Sequence, residues 1–216
     1  MPERSINLTF HGIGDPDRRL DPGEQDVWVD RDQFLALLDR AARRPDVAIT
    51  FDDGNASDVE YALPALRERG LTATFFVVAG RLGAPRFVDA DGVRELAAAG
   101  MEIGCHGMHH RPWRGLDDAA LHEELVEAKG VLEGVVGRPV TRAACPFGSY
   151  DRRVLRTLRR AGYRRVYTSD RGTTRPNEWL QPRNSVGPHD DERLLERIDT
   201  GDGLARRAKL AVKRWR

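Results

Sequence analysis

Val47-Ala48-Ile49-Thr50-Phe51-Asp52-Asp53-Gly54 is a run of β-branched, aromatic and apolar residues that ends in two carboxylates and a glycine. Such a run reads as a buried strand. Neighbouring residues on a strand point to opposite faces. A sharp turn at Gly54 can re-aim both acids at the strand's end, so that one binds a metal and the other stays free as a base. The alternative is an ordinary solvated Asp-Gly turn.

Two further segments tip the balance toward chemistry. Met101-Glu102-Ile103-Gly104-Cys105 reads as a second strand, and His106-Gly107-Met108-His109-His110 follows it. If that turn is helical, the i, i+4 spacing puts His106 and His110 on one face, with His109 pointing elsewhere. Four of the six histidines, His11, His106, His109 and His110, sit at or just after expected strand ends. That clustering favours a metal site over scattered surface histidines. The third segment, Ala144-Cys145-Pro146-Phe147-Gly148, supplies a tight backbone turn after another strand.

Working outward, strand-like runs lie at Ile6–His11, Val47–Phe51, Thr72–Val78, Met101–Cys105, Thr141–Cys145, Arg165–Thr168 and Pro182–Val186. Helix-like runs at Asp58–Arg69, Asp89–Ala99 and Asp151–Ala161 each stop at a glycine, and a fourth spans Leu116–Val136. Alternation of this kind predicts a parallel sheet with crossover helices. The expected fold is α/β, a distorted (β/α) barrel of about seven parallel strands, whose chemistry belongs at the C-terminal strand ends. Residues 15–28 and 171–177 read as long loops near the mouth. Trp28, Trp113 and Trp179 are either packing residues or platforms for sugar rings.

The chain resembles the NodB-homology polysaccharide deacetylases, the fourth carbohydrate esterase family. Thr50 to Gly54 matches the family's T-F-D-D-G, and His106 to His110 matches H-S/T-x-x-H with Gly107 in the second place. Ala144 to Gly148 matches R-x-P-Y/F-G with alanine in place of arginine. The likeness runs from about Ile6 to Val186, and the opening Leu8–Gly14 resembles the first strand of one subgroup. The resemblance implies a NodB-like barrel and removal of an N-acetyl group from an amino sugar or N-acetylated saccharide. By it, Asp52 is the base, and Asp53, His106 and His110 hold a divalent metal, most often zinc, with positions left open for water and substrate. The metal would lower the pKa of its water toward about 7. The N–H of Phe147 would help hold the oxyanion, a donor worth about 3 kcal/mol of barrier.

The chain departs from the family's pattern in three places. The arginine that orients the base is Ala144 here, and Arg183 is the candidate to replace it from a later strand. The aspartate-before-tryptophan motif is not clear, since Asn177 and Glu178 precede Trp179. The L-x-H that supplies the acid has no good match; His189 lies in the right region, after the turn-like Gly187-Pro188. His11, Pro146 and Trp179 are the expected substrate contacts. The rivals are a hydrolase of another C–N bond on the same fold, such as a deformylase of a lipid-linked amino sugar or a ring-opening amidase, and a non-catalytic saccharide-binding protein.

A length of 216 residues suits one catalytic domain, expected over 1–203. Mean hydropathy of −0.56 excludes a membrane bundle, and no apolar run reaches the span of a bilayer. Met1–Phe10 shows no basic and apolar leader pattern, so the expected location is cytoplasmic, with possible contact at the inner membrane face. Two cysteines, Cys105 and Cys145, do not make a disulfide scaffold. They are bridged, or two buried thiols as a reducing compartment favours, or, as a third option, zinc ligands. Residues 204–216 carry six basic side chains and no acid. This segment reads as a solvated tail or a weak membrane-surface helix, and the latter would make a lipid-linked sugar an attractive partner. No nucleic-acid motif is present.

Overall fold

The computed structural model describes residues 4–201. The basic 204–216 segment lies outside the described residues. The strands are β1 (Ser5–Phe10), β2 (Val47–Asp53), β3 (Ala73–Val77), β4 (Glu102–Cys105), β5 (Arg142–Ala144), β6 (Arg165–Thr168), β7 (Thr173–Thr174), β8 (Leu180–Pro182) and β9 (Asn184–Ser185). From β1 to β6 each strand lies parallel beside the next, and β8 follows parallel on β6.

Closure is achieved where the sequence suggests a single strand at Pro182–Val186. The chain there is split at Arg183. Before it, β8 pairs with β6; after it, β9 pairs with β1, Leu8 opposite Asn184 and Thr9 opposite Ser185. One segment thus bridges the two edges of the sheet, and the result is a nearly closed, barrel-like parallel sheet. The short β7 runs antiparallel on β1, Ser5 opposite Thr174.

Helices cover the outside: α1 (Arg31–Ala42), α2 (Leu63–Glu68), α3 (Ala90–Ala98), α4 (Asp118–His122), α5 (Ala128–Val136), α6 (Arg152–Arg160) and α7 (Leu194–Thr200). Aspartates 30, 89, 117 and 151 accept from the main-chain N–H three residues on, at the starts of α1, α3, α4 and α6. Each such cap stabilises its helix by about 1 kcal/mol. Helix α1 ends on Arg43 rather than a glycine, so it lacked the stop signal that marks the helices named from the sequence. Single π-helical turns, Asp58–Ala62 and Glu123–Glu127, precede α2 and join α4 to α5.

Strand alternation divides the packing in two. On the outer face Phe10, Phe51 and Phe75 stand opposite one another in register. Their rings stack at 5.6 and 4.5 Å between centroids, with Phe34 of α1 edge-on to Phe10 at 5.0 Å. The inner face holds a separate small cluster of Phe76, Ala144 and Tyr167. A Cβ on Gly104 would meet the Phe76 ring at 2.4 Å, so glycine at that position leaves the interior to the aromatic ring. Thr9 and Thr50 hydroxyls meet at 2.9 Å. No helix among the described residues is long and apolar enough to cross a membrane. Cys105 and Cys145 are buried thiols that form no disulfide.

Candidate metal centre and its carboxylate neighbour

Strand parity carries Asp52 to the inner face, opposite Phe76 in register, and would carry Asp53 outward. The backbone prevents this: Asp53 takes φ 77 and Gly54 φ 69. Two successive left-handed residues turn the second carboxylate back over the strand's end. Left-handed backbone is strained for a residue other than glycine. Among the described residues five non-glycines adopt it, and three of them are Asp53, His110 and Phe147. Strain therefore concentrates where three distant segments converge.

Asp53, His106 and His110 offer ligand atoms that all lie within 4.8 Å of one another. Asp53 Oδ1 is 3.1 Å from His110 Nε2 and 3.5 Å from His106 Nε2. Ligands about 2.0–2.1 Å from a tetrahedral ion stand about 3.3 Å apart, so the spacing fits a zinc-sized cation. Asp53 Oδ1 is buried and has no satisfactory hydrogen-bond partner, which a bound cation would remedy. His106 Nδ1 lies 2.9 Å from the Ala144 carbonyl oxygen. A carbonyl only accepts, so Nδ1 carries the proton and Nε2 presents its lone pair to the cluster, as metal-binding imidazoles require. The 106–110 segment is a loop rather than the expected helical turn. Gly107 at φ 85 and His110 at φ 51 bring the two imidazoles together instead. His109 turns out to Glu123.

Asp52 sits against this cluster, with Oδ2 3.7 Å from His106 Nε2 and 3.9 Å from His11 Nε2. Arg183, from the break between β8 and β9, donates to both carboxylate oxygens at 2.5 and 2.6 Å. Its guanidinium lies over the inner Phe76 and Tyr167 rings, 5.1 and 5.8 Å from their centroids. The arginine absent at Ala144 is thus supplied from the closing strand.

Burial opposes ionisation of both acids, yet both carboxyls are held below their usual range. For Asp52 the Arg183 guanidinium, by its charge and its hydrogen bonds, outweighs burial; for Asp53 the adjacent His110 imidazole does so. Burial pushes the His106 imidazole down to about 4. Near neutral pH the site therefore holds two carboxylates and a neutral His106, while Asp53 holds the His110 imidazole above its ordinary range against its burial, so a cation entering the cluster would displace the His110 proton.

The remaining expected residues divide. Pro146 is buried and starts the 3-10 turn Pro146–Gly148. Phe147 rises from that turn 63% exposed, its ring 4.7 Å from that of His110. His11 follows β1, partly exposed. Trp179 does not belong to this site. It precedes β8, its carbonyl accepts from Val166 N, and its indole donates to Tyr163 O, at the barrel end opposite the carboxylates. The reason is topological: the residue before a parallel strand lies at the floor. His189 occupies an exposed turn, and Gln33 and Arg197 fasten neighbouring Asp190. Trp113 is fully buried. Trp28 packs where a Cβ on Gly12 would stand, and Arg18 fastens the 15–28 loop by binding Glu24 and Asn55.

Sequence reasoning missed the buried acids Glu124 and Asp58. Glu124 stands on the apolar stripe Leu121, Leu125, Ala128, Leu132 of its helix, and a charge on such a stripe is a readable sign of a buried partner. Asp58 is buried with neither carboxyl oxygen hydrogen-bonded.

Comparison with known proteins accords with this geometry. Residues 39–166 match the family model of polysaccharide deacetylases. A peptidoglycan-N-acetylglucosamine deacetylase of Bacillus cereus is 30% identical over 137 residues, covering 63% of this chain and 61% of that protein. A chitooligosaccharide deacetylase of Bradyrhizobium is 28% identical over 138 residues, covering 63% of this chain and 59% of that protein. The chain thus spans about three-fifths of the length of these curated relatives. Among solved structures, a Streptococcus pyogenes deacetylase in complex with acetate superposes with a TM-score of 0.78 at 20% identity, covering 92% of this chain and 99% of that one. With its family model matched across the motif-bearing strands, the chain belongs to the polysaccharide deacetylase family.

Proposed function

We propose that the chain is a metal-dependent N-deacetylase that cleaves the acetamide of an N-acetylated amino sugar in an oligo- or polysaccharide. The observation that carries this reading is the pairing of Arg183-bound Asp52 with the under-satisfied Asp53–His106–His110 cluster at the barrel mouth. The named substrates of the relatives, peptidoglycan N-acetylglucosamine and chitooligosaccharide, support the saccharide class. Asp53, His106 and His110 would hold the divalent ion, which supplies polarisation of the carbonyl and a more acidic water; their mixed oxygen and nitrogen donors suit zinc.

The chain's own residues do the rest. Asp52 accepts a proton from the attacking water. Arg183 keeps the carboxylate ionised and aimed, because a fork of two N–H bonds fixes its plane. The Phe147 N–H serves the developing oxyanion. The amine leaves only if its nitrogen gains a proton as the C–N bond breaks. Outside the Asp53–His106–His110 cluster, His11 is the imidazole beside Asp52, at 3.9 Å, and His189 stands on an exposed turn; we assign the delivery of that proton to His11.

The test is the appearance of free amine when protein supplied with zinc is incubated with N-acetylglucosamine oligomers of increasing length. Amine production that stops on chelation supports the reading. Absence of amine at every length, from protein that holds the metal, would contradict it. His11→Ala should lose far more activity on the sugar amide than on an aryl acetate, whose leaving group needs no proton.

A further inference from the structure

The loop that carries His106 and His110 is wrapped around one buried carboxylate from a different element. Glu124, fully buried, accepts from Met108 N at 3.0 Å and His109 N at 3.1 Å. It also accepts from Arg111 Nε at 2.8 Å and Trp113 Nε1 at 3.2 Å. All four donors belong to residues 108–113, and together they match the four acceptor positions of a carboxylate. Glu124 reaches them from the π-helical turn Glu123–Glu127. An added residue of this kind in a helix shifts the side chains around it and is common at functional sites.

The fit at the loop's glycine is close. A Cβ on Gly107 would stand 2.1 Å from Glu124 Oε2 and 3.1 Å from Trp113 Nε1. The opposite side of the loop is held by main chain, with Ala79 N donating to Gly107 O and Gly80 N to Met108 O. His110, at φ 51, is strained, and a strained residue persists only where its surroundings over-determine it.

We propose that Glu124 is the positioning residue of the metal centre: its carboxylate holds the 106–113 loop in the strained form that lets both imidazoles meet Asp53. Glu124 touches neither substrate nor metal and acts through the loop. The inference rests on the metal reading above, and it concerns affinity for the ion rather than turnover.

The test is titration of the metal-free protein with cobalt(II), read by its visible absorption and by calorimetry. Wild type is compared with Glu124→Gln and Gly107→Ala. Loss of outer support for a ligand typically weakens metal binding about 10- to 100-fold, and both variants should show this, with an altered cobalt spectrum. Gly107→Ala changes no charge, so a shared effect separates positioning from simple loss of a negative charge. It also carries the test if Glu124→Gln fails to fold. Variants that melt earlier without metal, yet bind cobalt as wild type does within about twofold, would overturn the proposal. Wild type that binds no cobalt would instead refute the metal reading itself.

Discussion

Arg183 and Asp52, 131 residues apart, meet in a buried two-pronged ion pair at 2.5 and 2.6 Å. The arginine sits where the final strand changes partner from β6 to β1. Barrel closure and orientation of the carboxylate therefore depend on the same residue.

Arg183→Lys should retain the charge and lose the fork. Misplacing a reacting group by about 1 Å costs about 100-fold, and a loss of that order in kcat/KM is expected. Arg183→Met should also destabilise the fold by about 3–5 kcal/mol, because it leaves a buried carboxylate without its partner. Kinetics and urea denaturation measure the two effects. Full activity in Arg183→Lys would remove the positioning role.

Base and ligands are separable. Asp52→Asn should bind cobalt and lose about 10²–10⁴ in kcat, the usual worth of a general base. Asp53→Asn, His106→Ala and His110→Ala should lose the metal. Metal content after dialysis distinguishes the two groups, and an Asp52→Asn protein that loses its metal would make Asp52 a ligand.

Asp58 links stability to pH. Burial first, then the charges of Asp53 and Asp52, holds its carboxyl well above the ordinary 3.8. The folded protein keeps a proton that the unfolded chain releases. The stability contributed by this group is full below that ordinary value and is lost as pH rises through the raised folded one. Asp58→Asn stays neutral, so its melting temperature should gain on wild type between pH 4 and pH 8. Calorimetry of the metal-free proteins checks this; a difference that does not vary with pH would refute it.

Phe147 projects from a left-handed turn beside His110. As an exposed side chain it adds little to stability. Phe147→Ala should raise KM for oligosaccharides several-fold and leave the melting temperature within about 2 °C of wild type. An unchanged KM would place the ring outside the substrate's path.

Much of this was legible from residue order. The strand through Phe51, the Asp53–His106–His110 grouping and Arg183 as the candidate partner of Asp52 are all readable in the sequence. Strand alternation and turn residues are local signals, and they carried the barrel. Failures arose where tertiary context decides. The His106–His110 spacing suggested a helical turn, but Glu124 and Gly107 fold it as a loop. Trp179 attracts a substrate role as an aromatic residue near an expected motif, but its place before a parallel strand puts it at the barrel end opposite the carboxylates. His189 followed a motif position that the chain's turn does not preserve. Helix α1 ends on Arg43, without the glycine stop that marks Asp58–Arg69, Asp89–Ala99 and Asp151–Ala161.

The most direct test of the central claim is acetate release from N-acetylglucosamine oligomers by zinc-loaded wild type, run beside Asp52→Asn carrying the same metal content. Stoichiometric acetate from the wild type, reduced at least about 100-fold in the variant, is the predicted result. Equal release from the two proteins, or none from wild type with its metal bound, would contradict the account.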